Sequence, residues 1–139
     1  MFVFFEYFLQ ILLSAFLGGL IGYERELIGK QTGIRTMAIV TVGVTAFTII
    51  SRLGFEDVFR SSFDPSRIAA AIVIGLGFLG AGLIFQKKDR IEGLTTAAAL
   101  WASASVGMAV GCKMYELASI TTIILLFILW FIRRAKKEL

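Results

Sequence analysis

The residues of this sequence best suited to chemistry are charged side chains beside a long apolar stretch. Two glutamates and three bases fall between positions 24 and 35, including Glu24, Arg25, Glu26 and Arg35. Arg35 begins a predicted helix, where its charge meets the positive end of the helix dipole unfavourably. We therefore predict that Glu24 or Glu26 pairs with Arg35 at the edge of a membrane. The plainer alternative is a set of solvated charges that only orient the helices.

A second charged segment precedes a later apolar stretch and reads Lys87-Lys88-Asp89-Arg90-Ile91-Glu92. We predict that it faces the first segment and completes a basic platform on one side of the membrane. Such a platform could also simply hold anionic lipid headgroups. The predicted functional residues of this face are Glu24, Arg25, Glu26, Arg35, Thr36, Asp89, Arg90, Glu92 and Thr95.

Several kinds of chemistry are excluded by composition. The chain has no histidine and one cysteine, Cys112. Zinc sites of Cys and His, His-ligated haem and His-based nucleophilic dyads therefore cannot form. We predict no catalytic residue, no enzyme activity and no cofactor, assign no metal ligand, and keep Mg²⁺ only as a candidate ligand.

Five apolar stretches of 18 to 22 residues occupy most of the chain. They run over Phe2–Tyr23, Thr36–Leu53, Ile68–Phe85, Leu94–Cys112 and Met114–Ile132. About 20 helical residues cross the roughly 30 Å core of a bilayer, and only helices or closed barrels satisfy their backbone there. With 58% hydrophobic and 17% charged residues, the sequence predicts an all-α membrane protein with five transmembrane helices, in one domain over residues 1–139.

The basic residues predict the orientation of these helices. Ten of the 14 lie in the first and third connections and the C-terminal tail, and four lie in the second and fourth connections. The positive-inside rule then places the N-terminus outside and the C-terminus in the cytoplasm. Because the net charge of +4 is explained by orientation, no nucleic-acid partner is predicted.

Glycines in the stretches indicate close helix packing. Small residues let helix backbones approach each other in lipid, within one chain or between copies in a homo-oligomer. Threonines at positions 41, 45 and 48 share a helical face and predict interhelical hydrogen bonds. The predicted packing residues are Gly18, Gly22, Gly75, Gly77, Gly80, Gly82 and Trp101.

The interiors of the apolar stretches lack acidic residues, which bears on ion transport. Mg²⁺ favours carboxylates or retained waters, and proton-coupled carriers depend on ionisable groups inside the membrane. A cation path is therefore disfavoured. Since filters can be lined by backbone carbonyls, a transporter or channel for Mg²⁺ or another ion remains the alternative function.

Several of these motifs together resemble the membrane domain of the MgtC/SapB family. The matching segments are Leu17–Glu26, Gly33–Thr36, Gly75–Gly82, Gly93–Ala98, Leu100–Trp101 and Val106–Gly107. Many members carry Asn where this chain has Thr95 and Cys where it has Ala102. Many also carry a soluble C-terminal domain, which we expect to be absent here.

The resemblance implies a bacterial inner-membrane protein linked to low-magnesium adaptation and virulence. Family members were labelled magnesium transporters, yet the family is better described as regulatory. The resemblance also implies binding to a membrane partner such as the F-type ATP synthase. We therefore expect a non-enzymatic regulator in the lipid bilayer.

Overall fold

Helices form most of the fold, as predicted. A computed structural model describes residues 2–55 and 64–135. The elements are α1 (Phe2–Leu27), α2 (Ile34–Leu53), α3 (Ser66–Ala81), β1 (Phe85–Lys87), β2 (Arg90–Glu92), α4 (Leu94–Gly111) and α5 (Tyr115–Ala135). The all-α prediction needs one correction, because the third connection contains a short antiparallel hairpin.

Helix α4 lies at the centre of the bundle and contacts the other four helices. Most of its buried positions are Ala, Gly or Ser, and Val106 and Val110 are completely buried. Small side chains on several sides of one helix allow several neighbours to pack closely at once. The remaining helices present large apolar side chains outward, such as Ile74 at 75% and Phe78 at 80% exposure.

The helices alternate in direction and gather charges at two opposite ends. At one end Lys113 pairs with Glu6. At the other Arg133 lies 3.4 Å from Glu24. We call these the Glu6 end and the Glu24 end. The predicted charges at positions 56–63 and 136–139 lie outside the described residues.

Three of the described helices, α1, α2 and α4, are long and apolar enough to cross a membrane. The third predicted stretch, Ile68–Phe85, was drawn too long, since α3 has 16 residues and ends at Ala81. Helix α5 has 21 residues, Tyr115–Ala135, and its part from Tyr115 to Phe131 is apolar.

A glycine separates the hairpin of the third connection from α4. Strands β1 and β2 pair Phe85 with Glu92 and Lys87 with Arg90. Gly93, with φ of +91°, turns the chain from β2 into α4, and any added Cβ would collide with the carbonyl oxygen of Leu83. A left-handed backbone in close contact requires glycine, so this residue fixes the point at which α4 begins.

The start of α3 is held by Asp64, which lies two residues before the first helical residue, Ser66. The Asp64 carboxylate accepts hydrogen bonds from the backbone N–H of Ser66 at 2.9 Å and from its hydroxyl at 2.6 Å. An acceptor at this position satisfies a helix N–H that has no partner within the helix.

Protonation of Asp64 is expected to weaken these hydrogen bonds. Hydrogen bonds from the Ser66 hydroxyl and N–H hold the pKa of the Asp64 carboxyl below its usual range. Its contribution is therefore complete above the unfolded-state pKa and is lost as pH falls through the folded-state pKa. The free energies of unfolding of the native protein and of Asp64→Ala should differ at neutral pH and become equal in acid. Asp64→Asn is the control, because its side chain keeps an acceptor but does not titrate. If the native protein and Asp64→Ala differed as much in acid as at neutral pH, the prediction would be contradicted.

Candidate functional site

The predicted charged residues of the first connection lie on the last turns of α1 rather than in a loop. Helix α1 continues to Leu27 because a glycine closes its end. Gly29 has φ of +67°, its N–H donates to the Glu26 carbonyl, and the Lys30 N–H donates to the Arg25 carbonyl. This pair of bonds is the Schellman arrangement of helix ends. It places Glu24 and Arg25 on the helix and thereby inside the bundle.

Glu24 and Arg25 are buried and form an ionic cluster with Arg133 of α5. Glu24 is 8% and Arg25 is 3% exposed. The Glu24 carboxylate lies 3.5 Å from Nη1 of Arg25 and 3.4 Å from Nη1 of Arg133. The cluster thus joins the end of α1 to the end of α5. One carboxylate faces two guanidinium groups, so the three side chains carry a net charge of +1.

Two buried polar atoms of this cluster, Oε2 of Glu24 and Nε of Arg25, lack hydrogen-bond partners in the described part of the chain. The buried Oγ1 of Thr32, in the first connection, lacks one as well. Buried polar groups in folded proteins are normally paired. The two atoms of the cluster offer an acceptor and a donor, which an ordered water can satisfy. Sequence patterns gave no indication of Thr32.

Glu26 fastens α1 to α2 by capping the second helix. Its Oε2 accepts a hydrogen bond from the backbone N–H of Ile34 at 3.0 Å. The predicted pairing of Arg35 with Glu24 or Glu26 is wrong within the described residues. Arg35 is exposed, while both glutamates are engaged by the groups named above. The Ile34 N–H donates to the Glu26 carboxylate because an N–H at the start of a helix has no partner within that helix.

The other predicted residues of this face are exposed or paired locally. Thr36, Asp89 and Thr95 are exposed. Arg90 lies 3.2 Å from Glu92 within the hairpin. These positions are available for a partner or for lipid headgroups, but they do not belong to the buried cluster.

The predicted packing glycines divide into two groups. A Cβ added at Gly22 would lie 2.6 Å from the carbonyl oxygen of Gly33, and one at Gly18 would collide with the Thr41 side chain. Gly80 is in ordinary contact with Ala97, and Gly82 lies near its own helix. In contrast, Gly75 and Gly77 meet no atom within 4 Å.

Trp101 does not pack inside the described bundle. Its side chain is 52% exposed. The buried sides of α4 carry small residues such as Ala97 and Ala104, which permit close helix contact where an indole would not. The prediction of an internal packing role for Trp101 is therefore corrected.

Two further glycines of close contact, Gly107 and Gly111, were missed. An added Cβ would lie 2.6 Å from the Thr41 carbonyl oxygen at Gly107 and 2.6 Å from Cβ of Thr48 at Gly111. Their spacing of four residues is the same as that of Gly18 and Gly22. That spacing was a usable signal.

Hydrogen bonds from neighbouring helices fasten the end of α4. Thr45 donates to the Gly107 carbonyl at 2.8 Å, Gln10 to the Val110 carbonyl at 2.8 Å, and Arg52 to the Gly111 carbonyl at 2.7 Å. Thr41 also bonds across helices, donating to the Ser14 carbonyl at 2.8 Å. The prediction of interhelical bonds is confirmed for Thr41 and Thr45, whereas Thr48 donates within α2.

Comparison with known proteins agrees with these motifs. The MgtC family model matches residues 11–138. The chain belongs to the MgtC family. The predicted resemblance is thereby confirmed, and this membership together with three helices able to span a bilayer makes it a membrane protein. No solved structure matches the chain.

Several relatives within this family are similar over most of the present chain. A putative magnesium transporter, YhiD of Escherichia coli K12, is 42% identical over 89% of this chain and 59% of its own length. Protein MgtC of Brucella abortus strain 2308 is 43% identical over 79% of this chain and 44% of its own length. Protein MgtC of Salmonella typhimurium is 39% identical over 97% of this chain and 56% of its own length. The chain thus spans about half the length of these relatives.

Proposed function

We propose that this MgtC-family protein is a non-enzymatic regulator of the bacterial inner membrane that acts by binding a membrane partner. Its setting would be adaptation to low magnesium and virulence, as the resemblance implies. The partner would be a complex such as the F-type ATP synthase. Transport of Mg²⁺ or another ion is the alternative, favoured by the name of the Escherichia coli relative, a putative magnesium transporter.

All five helices cross the bilayer in this proposal, with the N-terminus outside. The 16 residues of α3 span about 24 Å, a few ångströms less than a typical bilayer core. Local thinning and the flanking bases Arg67 and Lys87 would accommodate that mismatch. The basic hairpin and Arg133 support a cytoplasmic Glu24 end.

The bundle interior supports regulation over transport. Buried hydroxyls within the helices are engaged in hydrogen bonds, as in Thr45 to Gly107 and Ser103 to Leu100. Among the described residues, no group of three His, Cys, Asp or Glu could hold a metal ion. The carboxylates of the described residues lie near helix ends, in the connections or in the hairpin, and none lies at the middle of a helix where a cation path would pass.

The observation that carries the proposal is the open face of α3. Gly75 and Gly77 contact nothing within 4 Å at their Cβ positions, and the neighbouring Ile74 and Phe78 are the most exposed large apolar side chains of the helix. Interior glycine weakens a helix by about 1 kcal/mol relative to alanine. A partner helix that approached this face closely would use the space that glycine leaves.

Leucine at Gly75 and Gly77 is expected to abolish co-purification of the partner from native membranes. Leu side chains fill the space that a partner helix needs, and the fold tolerates them because no atom of this chain lies there. Gly43→Leu on α2 is the matched control, since an added Cβ at Gly43 also meets nothing within 4 Å. The ATP synthase is sought directly among the captured proteins. Equal recovery of a specific partner with both variants would contradict docking at α3.

Ion flux decides between regulation and transport. Purified protein in liposomes loaded with a Mg²⁺-sensitive dye is expected to give no flux above empty liposomes. A transporter would give flux that Glu24→Gln or Arg35→Gln reduces. Flux of that kind would contradict the regulatory proposal and support transport instead.

A further inference from the structure

A cavity of about 340 Å³ lies at the Glu6 end, where α2 and α4 end and α3 begins. Its size falls at the lower limit of small-ligand pockets, roughly 300–1,000 Å³. Arg52 supplies charge to its wall, and Thr48, Ser51 and Ser66 supply hydroxyls. This site shares no residue with the ionic cluster at the Glu24 end or with the exposed glycines of α3.

The cavity presents a single kind of available donor. The three hydroxyl protons are used elsewhere: Thr48 donates to the Val44 carbonyl, Ser51 to that of Pro65 and Ser66 to the Asp64 carboxylate. Arg52 has five N–H donors, and only one hydrogen bond uses them among the described residues, that from Nη1 to the Gly111 carbonyl. Arg52 is therefore the charged residue of the described wall that keeps unused N–H donors, and the lining is otherwise mostly apolar.

Charge and polarity indicate what such a ligand brings. No described residue of the wall carries a carboxylate, and the Asp64 carboxylate next to Ser66 is engaged by the N–H and hydroxyl of that residue. Oxyanions such as phosphate are the natural partners of a guanidinium group. The rest of the wall includes Ala69 and Met108, which favour hydrocarbon.

We propose that this cavity binds the headgroup of an anionic phospholipid from the leaflet at the Glu6 end. The lipid phosphate binds Arg52, and the first carbons of the lipid lie against Ala69 and Met108. The volume accommodates a headgroup region but not a whole lipid, so the acyl chains continue along the outer surface of the bundle. The proposal is independent of which partner docks on α3.

The single cysteine of the chain provides a direct probe, because Cys112 also lines the cavity. Full-length protein, purified in neutral detergent and stripped of lipid, is labelled with a small uncharged maleimide. Phosphatidylglycerol in mixed micelles is expected to slow labelling about tenfold at roughly ten times its Kd, because the unoccupied fraction falls as 1/(1 + [L]/Kd). Phosphatidylcholine should slow it much less.

Arg52→Gln should abolish the difference between the two lipids, while Arg52→Lys should retain part of it. Arg67→Gln is the matched control, since Arg67 lies on the first turn of α3 and outside the described wall. Circular dichroism and monodisperse elution check that each variant is folded. Where Arg52→Gln does not fold, the lipid comparison on native protein still decides the question.

Three results would overturn the proposal. If phosphatidylglycerol and phosphatidylcholine slowed the labelling of Cys112 equally, the net charge of the lipid would play no part in binding. Protection by inorganic phosphate alone, without lipid, would assign the site to a free anion. Cys112 that stays unreactive after lipid removal would show that the cavity is not open to an external ligand.

Discussion

Replacing Glu24 by alanine is expected to lower the free energy of unfolding by about 3–5 kcal/mol, the range for removing one partner of a buried ion pair. Arg25 is 3% exposed, so the substitution leaves a buried guanidinium without its carboxylate. Arg133 loses the same partner. The measurement is equilibrium unfolding in a neutral detergent, with near-ultraviolet circular dichroism as the signal.

The double variant Glu24→Gln with Arg25→Gln should lose less stability than Glu24→Ala, because it removes both buried charges together. The exposed pair of Arg90 and Glu92 is the control, and Glu92→Ala should change stability by at most about 1 kcal/mol. If Glu24→Ala were as mild as Glu92→Ala, the cluster at the Glu24 end would not be buried as described.

Replacing Gly22 by alanine is expected to destabilise the protein by about 1–3 kcal/mol, the usual effect of overpacking. The new methyl group would meet backbone atoms, with the Gly33 carbonyl oxygen at 2.6 Å and the Ile34 Cα at 2.7 Å. Backbone cannot rotate away as a side chain can, so α1 and α2 would have to separate. Thermal unfolding in detergent measures the change.

Gly77→Ala is the matched control and should act in the opposite direction. No atom lies within 4 Å of its Cβ position, so alanine adds only helix propensity, worth up to about 1 kcal/mol. If Gly77→Ala destabilised the protein as much as Gly22→Ala, Gly77 would be packed against another part of the protein or a second copy. If neither variant destabilised it, α1 and α2 would be further apart than described.

The length and composition of the apolar stretches were sufficient to predict the helices, because lipid-length apolar runs have few alternatives. They were not sufficient for the end of the third helix. Residues 82–92 remain largely apolar or charged without a proline, and this composition does not reveal that the backbone of Gly93 lies close to the Leu83 carbonyl. A contact of that kind appears only when the chain has folded.

The site was predicted in part, for a related reason. Charge clustering located Glu24, Arg25 and Glu26, but local spacing could not reveal that Arg133, 109 positions away from Glu24, supplies the second cation. The same limit applies to Gln10, whose partner is the backbone of Val110. Arg35 misled because its unfavourable helix position suggested a partner that the described residues do not provide.

The bonds that Thr45, Gln10 and Arg52 make to the end of α4 have a mechanical consequence. Moving α4 against α2 would break the bonds of Thr45 and Arg52, and moving it against α1 would break that of Gln10, so we expect these three helices to move as one body. Shape changes among the described helices should then come from tilting of α3, or of α5 once the pair of Glu24 and Arg133 opens. Spectroscopic distances within α1, α2 and α4 should stay constant between functional states, and only those to α3 or α5 should change.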